Sequence, residues 1–118
     1  MKPKLCALAL ALCGPAPAAL AQEIVLATPY LCERGARVDA VYVNISEPAL
    51  AVLLLEGRQV VLMQAPSASG ARYLQSAEGQ LGYQWWSHGA EARLDWIGPD
   101  GSENSILSEC RSESPDAP

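Results

Sequence analysis

The chain has 118 residues, half of them hydrophobic, and thirteen acidic residues against eight basic ones give it a formal charge of −5 at pH 7. That length holds one small core and no second domain, and the acidic balance disfavours nucleic acid, whose phosphates it would repel. One histidine and four cysteines supply no clustered set of metal ligands.

At the start of the chain, Lys2 and Lys4 precede an unbroken apolar run from Leu5 to Leu12. Ala19-Leu20-Ala21 then places small residues where an export peptidase reads them, so residues 1–21 are expected to be a signal peptide cleaved after Ala21. Gly14, Pro15 and Pro17 interrupt the run well short of the ~18 to 20 residues of a membrane span. The expected product is a periplasmic domain. Outer-membrane lipidation at Cys13 is the competing reading, but Leu12 stands where lipid attachment wants a small residue. Without Lys2 and Lys4, six arginines face thirteen acidic residues, a charge of −7 with no lysine. Such a surface speeds encounter with a strongly basic protein, although it also serves plain solubility.

Cleavage leaves 97 residues and two cysteines, Cys32 and Cys110, near the two ends of the domain. In an oxidising compartment a single bridge between them is the natural inference, with two buried thiols as the alternative. The bridge would stabilise by on the order of 4 kcal/mol in the chain-entropy picture.

Along the remaining chain the dominant period is two. Val38, Ala40 and Tyr42 alternate with Asp39, Val41 and Val43, and Ala90 to Trp96 alternates again. Leu50 to Leu55 and Val60 to Met63 are continuous apolar runs. These patterns predict strands. The separators carry turn chemistry at Glu33-Arg34-Gly35, Ser46-Glu47-Pro48, Glu56-Gly57, Pro66 to Gly70, Glu78-Gly79, His88-Gly89 and Pro99-Asp100-Gly101. Seven or eight short antiparallel strands follow, and a small closed barrel hides their edges most economically. A two-sheet sandwich satisfies the same pattern. The barrel domain is expected over residues 22–111, with 112–118, which lack apolar content, as a disordered tail.

Ser67-Ala68-Ser69-Gly70-Ala71-Arg72-Tyr73 reads as an exposed, sharply turning loop between strand patterns. Ser67 or Ser69, His88 and Asp95 or Asp100 hold the atoms of a hydrolase triad, but a secreted domain of this size holds such a set by chance. The Gly-x-Ser-x-Gly elbow, a phosphate-cradling loop and any cofactor fingerprint are missing from the sequence, so no catalytic residue and no cofactor is expected. Of the neighbours Trp85 and Trp86, which point to opposite faces of a strand, one is expected in the core and the other at the surface or an interface.

Tyr30 and Cys32, then Ser69, Gly70 and Tyr73, then Trp86-Ser87-His88-Gly89 with Ala92, and finally Cys110 stand in an order that resembles the bacterial inhibitors of c-type lysozyme, the MliC/PliC family. The resemblance spans about Pro29 to Arg111. It implies an all-β, eight-stranded antiparallel barrel, a Cys32–Cys110 disulfide and a non-enzymatic function as a plug in the cleft of c-type lysozyme. It further implies that Ser69, Gly70, Arg72, Tyr73 and His88 form the lysozyme-binding site. Ser69 would meet the carboxyls of the target, Gly70 would permit close approach, Arg72 could reach an acidic or carbonyl group at the rim, and Tyr73 would brace the loop from behind. One departure stands out: the family carries lysine where this chain has His88. A lysine is charged at neutral pH, whereas an ordinary imidazole, with pKa ~6.5, is mostly neutral. Inhibition is thus expected to be weaker, tuned by pH or aimed at a different lysozyme, or the lysine's role is lost or moved to an arginine such as Arg72 or Arg93. A divergent periplasmic barrel that binds something else is the alternative function.

Overall fold

In the computed structural model, which describes residues 24–45, 47–78 and 80–113, eight antiparallel strands close into a single barrel. They are β1 (Val25–Leu31), β2 (Arg37–Val43), β3 (Leu50–Leu55), β4 (Arg58–Ala65), β5 (Ala71–Leu74), β6 (Gly82–His88), β7 (Glu91–Ile97) and β8 (Glu103–Ser112). Each strand pairs with the next, and β8 returns to β1. The barrel, rather than the sandwich, is therefore the architecture. The expected leader, including Cys13, and residues 114–118 of the expected tail lie outside the described residues. Two residues of that tail belong to the barrel instead: Ser112 ends β8, and the backbone N–H of Glu113 donates to Pro29 O at 2.9 Å.

The period of two is what fills the interior. Val38, Ala40 and Tyr42 of β2 point inward and are buried, while Arg37 and Asp39 stay exposed, because successive side chains of a strand alternate between faces. Ala51, Leu53, Val60, Leu62, Trp85 and Leu94 complete this core from β3, β4, β6 and β7. At its centre the Trp85 indole N–H donates to the Tyr42 hydroxyl at 2.8 Å, and the Tyr30 and Tyr42 hydroxyls lie 2.7 Å apart in hydrogen bond. Each polar tip therefore keeps a partner where water is excluded, which is what makes burying them tolerable. Burial also pushes the Tyr30 and Tyr42 phenols well above their ordinary range.

Closure is the weak point of the barrel. Among the described residues β1 and β8 share two register pairs, Tyr30 with Ser112 and Leu31 with Arg111, against seven between β1 and β2. The Cys32–Cys110 disulfide, with S–S 2.02 Å, sits next to this seam and fastens it covalently. Beside it a 3₁₀ turn, Glu33–Gly35, bends the chain from β1 into β2. Its Glu33 carboxylate accepts the backbone N–H groups of Ser108 at 2.8 Å and Glu109 at 2.9 Å. The register of β7 against β8 shifts between Ala92 and Leu94 and again between Leu94 and Asp95, so Glu33 supplies acceptors on a stretch of irregular pairing. The bonds from Ser108 N–H first, and then Glu109 N–H, hold its pKa down at about 2.

Candidate functional site

The connection from β4 to β5 consists of Pro66, Ser67, Ala68, Ser69 and Gly70, all exposed. Only these five residues of the sequence motif are loop; Arg72 and Tyr73 belong to β5. Proline and glycine end the flanking strands, and the Ser67 hydroxyl donates to Ser69 O at 2.7 Å, a short-range bond that stiffens the turn. Gly70 has φ +68°, and a Cβ built there would lie 2.5 Å from Ser87 O and 3.2 Å from His88 Cβ. The glycine thus allows the loop to press against the end of β6. The close approach that Gly70 was expected to give a partner is made, in this molecule, to its own strand.

That contact sets Ser69 beside His88. The two line a shallow depression of about 440 Å³ together with Trp86, Glu91, Arg93 and Ser108. His88 is exposed at the end of β6, followed by the two-residue hairpin loop Gly89-Ala90, whose first position has φ +61°. Of the five residues expected at the site, Ser69, Gly70 and His88 are brought together at the surface.

The remaining two turn inward or lie flat. Tyr73 is 2% exposed and packs on Tyr42 with ring centroids 5.6 Å apart, so it backs the loop from within the core, where burial raises its phenol to about 12. Arg72 lies on the outer face of β5 with its side chain only 14% exposed. Its Nε donates to Gln84 Oε1 at 2.9 Å, one terminal nitrogen to Pro66 O at 2.9 Å, and the other pairs with Glu78. The bond from Arg72 lowers the Glu78 carboxyl below its ordinary range. This guanidinium is committed to holding the base of the loop and is not a free group at the rim.

From Arg72 a polar chain crosses the outer face of the barrel. Gln84, fully buried, donates through Nε2 to Asp95 at 3.1 Å and to Glu103 at 3.2 Å, and Arg93 Nε donates to the same Asp95 oxygen at 3.2 Å. Trp86 lies under both arginines: the guanidinium carbons of Arg93 and Arg72 are 5.2 and 5.7 Å from its ring centroid. The cause is register. Arg72, Trp86 and Arg93 are cross-strand partners on three adjacent strands, so their side chains must stack. Trp85 is accordingly the core member of the tryptophan pair and Trp86 the outer one. Sequence reasoning missed Gln84 altogether and met Asp95 only as a chance triad member, since nothing in their spacing marks them as buried.

Asp95 is bonded to Gln84 and Arg93, Asp100 accepts from Ser102, and among the described residues no hydrogen bond joins a serine, His88 and an aspartate. Among the described residues there is also no group of three His, Cys, Asp or Glu placed to hold a metal ion, and no helix long and apolar enough to cross a membrane.

Comparison with known proteins adds the following. The family model of membrane-bound lysozyme-inhibitor of c-type lysozyme (MliC) matches residues 30–103. A membrane-bound lysozyme inhibitor of C-type lysozyme from Cupriavidus necator is 37% identical over 70 residues, 59% of this chain and 52% of that protein. Its namesake from Pseudomonas aeruginosa is 36% identical over 83 residues, 68% of this chain and 61% of that protein. The matches thus span between half and two thirds of these relatives' own lengths. Lipoprotein LprI of Mycobacterium tuberculosis is 39% identical over 61 residues, 28% of its length. Among solved structures, Pseudomonas aeruginosa MliC in complex with hen egg white lysozyme aligns with TM-score 0.55 and 29% identity, covering 91% of this chain and 98% of that one. The periplasmic inhibitor PliC of Salmonella typhimurium aligns with TM-score 0.60 over 76% of this chain and 99% of that one; at 19% identity the likeness is one of fold.

Proposed function

Because the chain belongs to the family of membrane-bound lysozyme inhibitors of c-type lysozyme, we propose that it binds a c-type lysozyme and blocks its cleft with the Pro66–Gly70 loop. The observation that carries this reading is the loop itself: five exposed residues pinned at one end by Arg72 on Pro66 O and at the other by Gly70 against Ser87, with Ser69 and His88 lining one depression. A loop held in this way loses little conformational freedom on binding, and that saving goes into affinity. A c-type lysozyme works with one protonated and one ionised carboxyl across its cleft. The Ser69 hydroxyl can accept from the first and donate to the second while offering no bond that the enzyme can cleave. Tyr73 and Arg72 act from behind, His88 contributes at the rim, and the −7 charge expected for the processed chain draws in a basic target.

Export and cleavage after Ala21 would deliver the domain to the periplasm, where the disulfide forms and where lysozyme would threaten peptidoglycan. The test is a lysis assay with a c-type lysozyme and cell-wall substrate. Wild type should inhibit. Ser69→Trp should raise the inhibition constant at least tenfold, about 1.4 kcal/mol, with an unchanged melting temperature, because the position is exposed. Equal inhibition by the two proteins would remove the loop from the mechanism.

A further inference from the structure

We infer that Arg93, and not His88, is the fixed cation that this site presents to a carboxylate of its partner. The inference rests on the reading above and goes one residue further, to the group that replaces the family's lysine.

Two arginines are candidates, and the geometry separates them. Arg72 has donated to Gln84, to Pro66 O and to Glu78, and its side chain is 14% exposed. Arg93 lines the same depression as Ser69 and His88, its side chain is 49% exposed, and its one hydrogen bond among the described residues is made by Nε. The two terminal nitrogens keep the planar fork that matches a carboxylate in bidentate fashion. Arg111 is turned elsewhere, on Glu91 at 3.3 Å.

The Asp95 pair does not cancel this charge at the surface. The Asp95 side chain is 6% exposed and shared with Gln84, so the anion sits below while the cation faces out. Two contacts then hold the guanidinium in place, the indole of Trp86 at 5.2 Å and Asp95 at 3.2 Å. Much of the entropy of a long side chain is therefore lost in folding, not in binding. The other acid on the depression, Glu91, is itself paired with Arg111. His88 lies at the exposed end of β6, beside the Gly89-Ala90 turn and opposite Glu91 in register.

The experiment measures inhibition constants against hen egg white lysozyme at pH 7.5 in 20 and 200 mM NaCl, for wild type, Arg93→Gln, Arg93→Lys, His88→Ala and Ser69→Trp. Arg93→Gln should weaken inhibition at least tenfold at low salt and flatten its salt dependence, since a lost exposed charge takes its screening with it. Arg93→Lys, which restores the charge without the fork or the stacking, should recover part of the affinity and the salt dependence. His88→Ala should weaken inhibition less than Arg93→Gln does and should keep the wild-type salt dependence; a flattened salt dependence in His88→Ala with none in Arg93→Gln would make His88 the cation and overturn the inference. If Arg93→Gln matches wild type in affinity and salt dependence while Ser69→Trp fails to inhibit, Arg93 is not the cation and the loop reading survives. Loss of affinity in Arg93→Gln with an unchanged salt dependence, and no recovery in Arg93→Lys, would make Arg93 a structural residue and overturn the inference. A wild-type protein that does not inhibit would overturn both.

Discussion

Replacing Gly70 with alanine tests whether the site depends on the loop's seating against β6. An L-residue in the left-handed region costs about 1–2 kcal/mol. The added Cβ meets Ser87 O at 2.5 Å, about 0.9 Å inside ordinary contact at 3.4 Å. Ser87 is flanked in register by Ala71 and Ala92, so its carbonyl cannot retreat and the loop must lift. Overpacking of this kind adds about 1–3 kcal/mol, for a combined loss of about 2–5 kcal/mol. Gly89→Ala is the internal control: φ is +61°, but nothing lies within 4 Å of the added Cβ, so only the conformational term applies. At ~4–8 °C per kcal/mol for a domain of this size, Gly70→Ala should melt at least ~8 °C below wild type and clearly below Gly89→Ala. A lift approaching 1 Å should also weaken inhibition at least tenfold, measured in the same lysis assay. Equal melting temperatures for the two variants would show that the loop gives way freely. The account of Gly70 as a seating residue would then be wrong.

Two further outcomes follow from the closure of the barrel. The Cys32→Ala, Cys110→Ala double variant removes a link across 78 residues, and the chain-entropy relation puts the loss at about 4–5 kcal/mol; urea titration should detect it, and a loss under 1 kcal/mol would contradict the bridge's role at the two-pair seam. Glu33 is held at about 2 from an ordinary 4.5, so its contribution is fully present above pH ~4.5 and disappears as pH falls toward 2. Thermal melts across that window should fall more steeply for wild type than for Glu33→Gln, and identical slopes would remove Glu33 from the stability of the seam.

The legible part of this fold is the part whose side chains alternate cleanly. In β2, Val38, Ala40 and Tyr42 announce both the strand and its inner face. In β3 and β4 the apolar runs also announce strands, but they hide which face is inside, because outward residues such as Leu54, Val61 and Met63 are apolar as well and lie 42%, 53% and 48% exposed. β8 carries no such pattern: over ten residues only Leu107 and Cys110 are buried, since the strand is irregular against β7 and leans on Glu33 for acceptors. The site divides in the same way. The exposed serine, the glycine and the histidine of the expected set can be read from motif order. Tyr73 is expected behind the loop from the same motif, whereas the commitment of Arg72 to the base of the loop cannot be read, because its partners Gln84, Pro66 O and Glu78 are gathered only by the fold.

What the sequence hides most completely is the coupling of loop and cation. Gln84 and Asp95 point away from the core yet are buried, and each is bonded to an arginine of the outer face, Gln84 to Arg72 and Asp95 to Arg93. Burying an amide and a carboxylate on an outer face is unfavourable unless each is bonded; here Gln84 is bonded to Arg72, Asp95 and Glu103 on three other strands, and Asp95 to Gln84 across the sheet and Arg93 on its own strand. Pro66 is thereby connected through Arg72, Gln84 and Asp95 to Arg93, with Trp86 beneath both guanidiniums. The loop that would enter a cleft and the charge that would meet its carboxylate are mounted on one rigid frame, so a partner that accepts Ser69 finds Arg93 at a fixed offset. Selectivity among lysozymes would then lie in whether a carboxylate stands at that offset, a geometric criterion that an exposed, flexible lysine would not impose.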